Sequence, residues 1–308
     1  MEFSHVSVLL FEAVSSLDIK KDGVYVDCTA GGGGHSAEIL KRLENGRLFA
    51  LDRDPEAIAA LKERFKGDER VTVVRTEFEN IRSVLASHGE EHADGVLADL
   101  GVSSHQLDTA ERGFSFHSDA PLDMRMSKQG VSAADLVNSL SERELERIIR
   151  TNGEEKFSRS IARAIVRERQ KKPVETTLEL VEIIKSAMPE AAKRNPGHPA
   201  RRTFQALRIE VNGELDRLES SLEEMFSSLC VGGRLSVITF HSLEDRIVKR
   251  KFASLCTGCT CPPSFPVCVC GKTPRGRLVF KSVLPGEQEL EANPRSRSAR
   301  LRSIEKLK

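Results

Sequence analysis

The sequence predicts an α/β fold with a mostly parallel sheet, an antiparallel edge and an inserted helical domain. Short apolar segments alternate with helical patterns, as in a βαβ series, and they lie at residues 24–26, 47–51, 71–75 and 94–100. The next strand pattern, at 234–240, begins more than 130 residues later. A complete βαβ unit needs only about thirty residues, so the rest of this stretch is an insertion. Two late strand patterns, near 278–284 and 299–304, suit an antiparallel edge.

The inserted segment is helical by its start and stop signals. Ser141 and Thr176 are each followed three residues later by a glutamate, which is the spacing of a capping box. A single long helix is predicted from about residue 199 to 229, and it returns the chain to the sheet. The predicted domains are a core in two parts and the insertion between them: residues 1–105 and 201–308, and residues 106–200.

A glycine-rich turn at residues 27–36 follows the first predicted strand and leads into a helical pattern. This geometry lets a ligand approach bare backbone N–H groups at the start of a helix. About twenty residues further on, Asp52 ends the second predicted strand. An acid at this spacing is placed to accept hydrogen bonds from ribose hydroxyls. The pair predicts a nucleoside-containing cofactor, whereas the alternative is a turn that only connects a strand to a helix.

The details of this turn favour S-adenosylmethionine over a dinucleotide. Gly31 and Gly33 match the first two glycines of G-x-G-x-x-G, but Ser36 stands at the third position. Asp27, at the end of the first strand, would repel a pyrophosphate but suits the cationic methionyl group of S-adenosylmethionine. Asp99 ends the fourth predicted strand, so three acids are expected at one sheet edge. A strand-end acid that only caps a helix is the simpler alternative for each.

Composition excludes a globally basic nucleic-acid-binding protein and a membrane-spanning one. The net charge of the 308 residues is +1, so contacts with phosphates must come from local clusters. No apolar run approaches the ~18 residues of a membrane span, and a cytoplasmic location is expected. Two runs are rich in basic residues, although solvated helix faces are the alternative: Lys193, Arg194, Arg201, Arg202 and Arg208, and then Arg295, Arg297, Arg300 and Arg302.

Several longer motifs resemble one family. They lie at residues 33–36, 51–55, 99–108, 112–116, 121–126, 202–209 and 240–246. Together they are similar to the MraW family of bacterial enzymes, which methylate the exocyclic N4 of a cytosine in small-subunit (16S) ribosomal RNA. The resemblance covers essentially the whole chain. It implies a class I S-adenosylmethionine-dependent methyltransferase with a Rossmann-like fold, in which residues 106–200 recognise the substrate.

The resemblance also implies which residues contact the cofactor and which partner is bound. The cofactor residues carried over from the matching motifs are Gly33, Gly34, His35, Asp52, Phe78, Asp99 and Gln106. The expected substrate is small-subunit ribosomal RNA, within the ribosomal subunit, and a homodimer is compatible with the sequence. Asp52 is expected at the ribose, and Phe78 is expected either on the adenine or in the core.

The proton acceptor is left open by the sequence. The N4 lone pair of cytosine is delocalised into the ring, so an acceptor aimed at its N–H is needed to localise that pair. Candidates are the Asp99 carboxylate, a backbone carbonyl of residues 100–102, Asp123, Glu244 or Asp245. His241 is either a proton relay or a structural hydrogen-bonding residue. The Ser/Asp-Pro-Pro-aromatic motif that is usual in base N4-methyltransferases is absent here.

Two further features have alternative interpretations. Phe114 and Phe116 either stack on an unstacked cytosine or pack in the core. Five cysteines between Cys256 and Cys270 form either a structural tetrathiolate zinc site or a group of uncoordinated thiols: Cys256, Cys259, Cys261, Cys268 and Cys270. No catalytic metal is indicated.

Other functions would share the cofactor half of the chain. A DNA or protein amino-methyltransferase has the same cofactor chemistry but not the runs at 99–108 and 240–246. A non-catalytic RNA-binding assembly factor would keep the fold without needing Asp52, the glycine turn or Asp99.

Overall fold

The computed structural model describes residues 7–194, 197–262, 266–267 and 269–308. The chain divides into two compact units, Met1–Gly101 with Asp216–Lys308, and Val102–Leu215. The second unit is therefore an uninterrupted segment that separates the two parts of the first. The predicted role of residues 106–200 in substrate recognition stays a prediction.

The first unit is built on one sheet. Within the described residues its strands are β1 (Val24–Asp27), β2 (Arg47–Asp52), β3 (Val71–Arg75), β4 (Ala93–Asp99), β5 (Leu229–Thr239), β6 (Gly276–Val283) and β7 (Arg300–Lys306). Their order is β3-β2-β1-β4-β5-β7-β6. Neighbours from β3 to β5 are parallel, whereas β7 is antiparallel to both β5 and β6. The predicted mostly parallel sheet with an antiparallel edge is confirmed.

The helices alternate with the first strands and then dominate the second unit. In chain order they are α1 (Leu10–Ser16), α2 (Gly34–Leu40), α3 (Pro55–Arg64), α4 (Ile81–Ser87), α5 (Ser104–Asp108), α6 (Ala133–Ser139), α7 (Glu142–Gly153), α8 (Ser158–Arg169), α9 (Thr177–Ala187), α10 (Glu190–Lys193), α11 (Arg201–Asn212), α12 (Glu214–Ser227), α13 (Ser242–Cys256) and α14 (Glu287–Ala292). No helix in the described part of the chain has the length and apolar character that a membrane span requires.

Both faces of the sheet are buried, which explains why its strands are nearly all apolar. Successive residues of β2 point to opposite faces, so Leu48 and Phe49 belong to two different apolar clusters. Phe49 packs in the cluster that contains Phe226 of α12 and Phe252 of α13. Leu48 packs in the cluster that contains Leu9. The strand ends are thus held by packing on both sides.

The second unit has its own apolar core, formed by residues of α6 to α9 and α11. The predicted capping boxes are present. Ser141 and Glu144 cap α7 reciprocally, and Thr176 and Glu179 do the same for α9.

The single long helix predicted from about residue 199 to 229 is wrong. Instead, α11 ends at Asn212, and Gly213 adopts the left-handed conformation with φ 57°. A left-handed glycine at this position terminates a helix, because the following residues cannot continue its hydrogen bonds. The chain starts again as α12 at Glu214.

Asn212 connects the end of α11 to a loop of the second unit. Its Oδ1 accepts a hydrogen bond from Met126 N–H at 2.9 Å, and its Nδ2 donates to the carbonyl of Met124 at 2.8 Å. The side chain is buried, so these bonds are shielded from water.

We expect Asn212→Ala to lower the free energy of unfolding by roughly 2–4 kcal/mol, because it removes bonds to two buried backbone groups. Urea unfolding followed by circular dichroism measures this change. Asn45→Ala is the matched control, since Asn45 is exposed and bonds to Asp22 on the surface. Its effect is expected to stay below about 0.5 kcal/mol. Equal effects of the two variants would show that the Asn212 contacts do not stabilise the unit.

Candidate functional site

Three acids end three adjacent parallel strands of the first unit. Asp27 ends β1, Asp52 ends β2 and Asp99 ends β4, and β1 lies between the other two. Because the carboxyl ends of parallel strands meet at one edge, the acids share this edge, as the sequence predicted. Ligands bind at this edge in open α/β sheets.

Asp52 fixes the glycine turn against the sheet. Its Oδ2 accepts a hydrogen bond from Gly31 N–H at 2.9 Å, and its Oδ1 accepts one from Asp54 N–H at 2.8 Å. A carboxylate oxygen can accept two hydrogen bonds, so both oxygens can still accept from ligand hydroxyls. Burial raises the pKa of Asp52 to about 6, although the two N–H donors oppose this shift. Additional hydroxyl donors would favour the ionised form further.

Asp27 supports the glycine turn. Its side chain is buried, where Oδ2 accepts a hydrogen bond from Ser36 Oγ at 2.7 Å and Oδ1 accepts one from Thr29 N–H at 3.2 Å. Burial raises the pKa of Asp27 to about 6. The carboxyl group of Asp27 is enclosed and holds the glycine turn to the first turn of α2, so its contact with a ligand cation stays a prediction.

His35 is a neutral, buried residue of the turn. Its Nε2 lies 3.1 Å from the carbonyl oxygen of Val8, and a carbonyl accepts only, so Nε2 carries the proton. Burial lowers the pKa of His35 to about 4. The other ring nitrogen, Nδ1, lies 3.8 Å from Asp99 Oδ2. The ring thus bonds to the chain before α1 and lies beside the acid at the end of β4.

The two glycines before His35 are required by close contacts. Gly33 has φ 79° at the start of α2, a conformation that side chains disfavour. A Cβ on Gly34 would lie 1.9 Å from Ser7 Oγ, which is an impossible contact. Residues 7 and 8 therefore lie directly against this turn, and the turn can offer only its backbone to a ligand.

Asp99 is the acid whose carboxyl group is least satisfied. Its Oδ1 is buried and has no hydrogen-bond partner among the described residues. Burial, followed by the nearby Asp27 and Glu244 carboxyl groups, raises the pKa of Asp99 well above its usual value. A buried acceptor without a donor is costly, so this oxygen is suited to a donor or a cation supplied by a ligand.

The other candidate side-chain acceptors are already engaged. Glu244 Oε2 accepts hydrogen bonds from the N–H groups of Phe240 and His241, at 2.8 and 3.2 Å. Asp245 forms a two-bond ion pair with Arg302, at 2.7 and 3.0 Å. In the second unit, Asp123 is held in the same way by Arg125.

His241 caps α13. Its Nδ1 accepts a hydrogen bond from Glu244 N–H at 3.4 Å. Its Nε2 lies 3.1 Å from Glu244 Oε1, but this contact lacks the alignment of a hydrogen bond. The geometry favours the structural alternative for His241 over a proton relay.

The two remaining residues expected at the cofactor lie in different units. Phe78 starts a short 3₁₀ turn after β3, is half-buried, and packs one side against the core of the first unit. Gln106 belongs to the second unit, is buried, and forms a capping box with Ser103 at the start of α5.

The aromatic pair predicted to hold a base separates into two environments. Phe114 is buried in the core of the second unit, which favours the packing alternative. Phe116 is half-buried and stacks on His198, with ring centroids 4.6 Å apart and an interplanar angle of 14°. It also meets Phe204 edge-on and lies 4.5 Å from the ring of His117.

Several residues of the two basic runs form ion pairs within the protein, which the sequence did not predict. Arg208 makes a two-bond ion pair with Glu214, at 2.9 and 2.8 Å. Arg300 and Arg302 both lie against Asp245. Arg297 is exposed in the turn before β7. The predicted phosphate-binding surfaces are therefore smaller than the counts of basic residues indicate.

The sequence did not reveal three small polar residues that hydrogen-bond to the acidic residues or pack against the glycine turn. Thr29 Oγ1 accepts a hydrogen bond from Asp99 N–H at 2.6 Å, and Ser36 donates to Asp27. Ser7 lies against Gly34. Small polar residues within the glycine turn were the available signal for Thr29 and Ser36, whereas the contact of Ser7 is non-local.

We expect Gly34→Ala to destabilise the first unit by about 1–3 kcal/mol, because the new methyl group collides with Ser7. Thermal and urea unfolding measure this loss. Adding Ser7→Gly should restore much of it, since the colliding atoms are removed. Gly286→Ala is the control, because a Cβ at Gly286 meets no atom within 4 Å. A neutral Gly34→Ala, or no rescue by Ser7→Gly, would contradict the contact.

The edge fits a ligand with a cationic centre and a ribose. Asp99 provides an acceptor without a donor, Asp52 provides free acceptor positions, and the glycine turn presents backbone without side chains. These are the groups that S-adenosylmethionine requires.

Comparison with known proteins agrees with this geometry. The MraW methylase family matches residues 2–307. Proteins named ribosomal RNA small subunit methyltransferase H are similar over the whole chain. Those from Clostridium botulinum (strain Loch Maree), Symbiobacterium thermophilum and Lachnospira eligens are 57%, 55% and 53% identical, covering 100% of this chain and 100%, 98% and 99% of the relatives. The chain therefore belongs to the MraW methylase family.

Proposed function

We propose that this chain is an S-adenosylmethionine-dependent methyltransferase that methylates the exocyclic N4 of a cytosine in small-subunit ribosomal RNA. The observation that carries the proposal is the similarity to ribosomal RNA small subunit methyltransferases over the full length of both chains, at 53–57% identity. The buried acids at the sheet edge supply the chemistry that such an activity needs.

The residues of the first unit would hold the cofactor in three places. The free acceptor positions of Asp52 suit the two ribose hydroxyls. The backbone of Gly33, Gly34 and His35 suits the methionyl group, and the half-exposed ring of Phe78 suits the adenine. Gln106 is proposed as a further contact on the strength of its motif. When bound, S-adenosylmethionine supplies a methyl group activated by a positively charged sulfur.

Asp99 is the proton acceptor that we propose. Its Oδ1 has no partner among the described residues, whereas Glu244, Asp245 and Asp123 are engaged. By accepting a hydrogen bond from the N4 amino group, Asp99 localises the nitrogen lone pair for attack on the methyl group. It then receives the proton that the methylated nitrogen loses. General base catalysis of this kind typically increases a reaction rate 10²- to 10⁴-fold.

The raised pKa of Asp99 serves this role. A carboxylate with an ordinary pKa is a weak base, whereas burial and the neighbouring acids make Asp99 a stronger one. A cation bound nearby lowers the pKa again and keeps Asp99 ionised before the transfer. The pKa rises again when methyl transfer removes that positive charge, so Asp99 would be ionised before the transfer and basic when the proton is released.

The alternatives are less favoured. A DNA or protein amino-methyltransferase does not explain similarity to ribosomal RNA methyltransferases at both ends of the chain. A non-catalytic assembly factor does not explain an unsatisfied buried acceptor beside an intact glycine turn. We propose that the enzyme acts in the cytoplasm, where ribosomal subunits are made. Recognition of the assembled subunit and a homodimer stay predictions.

We expect Asp52→Ala to weaken binding of S-adenosylmethionine by at least about a hundredfold, because two charge-assisted hydrogen bonds are lost. Isothermal titration calorimetry measures the affinity, and thermal unfolding checks that the variant is folded. Asp68→Ala is the matched control, since Asp68 pairs with Arg70 before β3. Normal affinity in Asp52→Ala would show that the ribose lies elsewhere.

The affinity of the wild-type chain should also depend on pH. The pKa of Asp52 is raised to about 6 in the free protein, so the carboxyl group is mostly protonated at pH 5 and mostly ionised at pH 7. Ligand hydroxyls prefer the ionised form, so binding should be about tenfold weaker at pH 5 than at pH 7. An affinity that does not change across this range would contradict the role of Asp52.

The reaction is tested by the nucleosides of ribosomal RNA. Deleting the gene should remove N4-methylcytidine from small-subunit RNA, as measured by mass spectrometry, and the wild-type gene should restore it. Asp99→Asn should restore none and should slow transfer in vitro by at least about a hundredfold. Asp22→Asn, an exposed change, should restore it fully. Unchanged N4-methylcytidine after deletion contradicts the function, whereas an active Asp99→Asn contradicts only the proton acceptor.

A further inference from the structure

A group of cysteine sulfurs lies in the loop between α13 and β6, in the first unit. The Sγ atoms of Cys259, Cys261 and Cys270 all lie within 4.8 Å of one another. Cys259 and Cys261 are on the part of the loop that leaves α13, and Cys270 is on the part that approaches β6. The three sulfurs therefore connect the two arms of the loop.

The distances between these sulfurs suit a shared metal ion. The Sγ atoms of Cys259 and Cys270 are 3.8 Å apart. This separation is nearly twice the ~2.05 Å of a disulfide bond. Two thiolates bound to zinc at about 2.3 Å in a tetrahedral site are about 3.8 Å apart. This pair thus has the spacing of two zinc ligands, and the third sulfur lies within 4.8 Å of both.

Backbone N–H groups point at each of the three sulfurs. Thr260 N–H donates to Cys270 Sγ at 3.5 Å, Cys261 N–H donates to Cys259 Sγ at 3.4 Å, and Val269 N–H donates to Cys261 Sγ at 3.4 Å. Such donors favour the thiolate, which is the form that binds metal.

The loop has few apolar contacts of its own that would fix this arrangement. Val267 and Val269 are 70% and 74% exposed. No helix or strand is formed by the described residues from 257 to 275. A loop without a core commonly depends on a metal or a disulfide to stay folded. The sulfurs supply such a link.

Cys256 does not belong to the group of three sulfurs. The site therefore has fewer cysteine ligands than the five that the sequence offered. The thiol of Cys256 ends α13, is half-buried, and accepts a hydrogen bond from Leu278 N–H. Its sulfur is not among those that lie within 4.8 Å of one another. Cys268 lies outside the described residues.

We propose that Cys259, Cys261 and Cys270 bind one zinc ion as thiolates, and that this ion is structural. Zinc takes four ligands in tetrahedral geometry, and these cysteines would supply three of them, each losing its thiol proton to solvent, while a further ligand completes the coordination. The ion joins the end of α13 to the start of β6 and so fixes the loop. It takes no part in methyl transfer.

The test measures metal on the intact chain. The protein is purified in reducing buffer without a metal-affinity column or added metal, and zinc is measured by plasma mass spectrometry. We expect about one zinc ion per chain. Cys261→Ser should reduce the content to near zero. Cys256→Ser is the matched control from the same cysteine run and should keep it.

A second measurement uses zinc or cobalt alone as the probe. Cobalt(II) added to the metal-free chain should give the thiolate charge-transfer band and the strong visible bands of tetrahedral coordination. Both should be lost in Cys261→Ser and kept in Cys256→Ser. Metal removal should also speed proteolytic cleavage within residues 257–275, while the thermal unfolding of the sheet shows that the variants are folded.

The proposal is overturned by a wild-type chain that lacks zinc as purified and binds it more weakly than micromolar. It is equally overturned if Cys261→Ser keeps the zinc, or if Cys256→Ser loses it. Methylation activity is not needed for any of these measurements, so they are independent of the proposed function.

Discussion

Desolvation of the carboxyl groups at the carboxyl edge of the sheet is the constraint on which the site depends. Asp27, Asp52 and Asp99 end adjacent strands that are buried on both faces, so Asp27 is removed from water and Asp52 and Asp99 are partly removed from it. Asp27 and Asp52 recover part of this cost through donors in the glycine turn. Asp99 recovers the least, because one oxygen has no partner among the described residues. A cationic ligand would offset the part of the desolvation cost of Asp99 that the protein itself does not compensate.

The hydrogen bonds of the glycine turn separate the residues that hold it in place from the glycines that leave its backbone uncovered. Its glycines admit the chain close to Ser7 and leave backbone exposed, while its acids and hydroxyls hold the turn in place. Ligand contact and internal support are therefore divided between residues that are neighbours in sequence. Asp27 supports the turn, Asp52 supports it and is proposed to contact the ribose, and Asp99 is proposed to accept a hydrogen bond from the base.

Much of this was predictable where local sequence determines structure. The apolar runs gave the strands, the Ser141 and Thr176 signals gave the helix starts, and strand-end acids gave the shared edge. The prediction failed where a single residue or a distant partner decides. Gly213 breaks the expected long helix, and Arg302 pairs with Asp245 across 57 positions instead of facing solvent. A local sequence pattern does not specify which distant side chain forms an ion pair, nor the direction in which the chain continues after a helix ends.

The placement of β7 has a consequence for synthesis on the ribosome. β5 pairs with β4 on one side and with β7, among the last residues of the chain, on the other. The second unit is continuous in sequence and emerges whole before β5 is made. The second unit can bury its core early. The edge of β4 that pairs with β5 stays unpaired until more than a hundred further residues have been synthesised. The first unit therefore completes its sheet last, although it begins first.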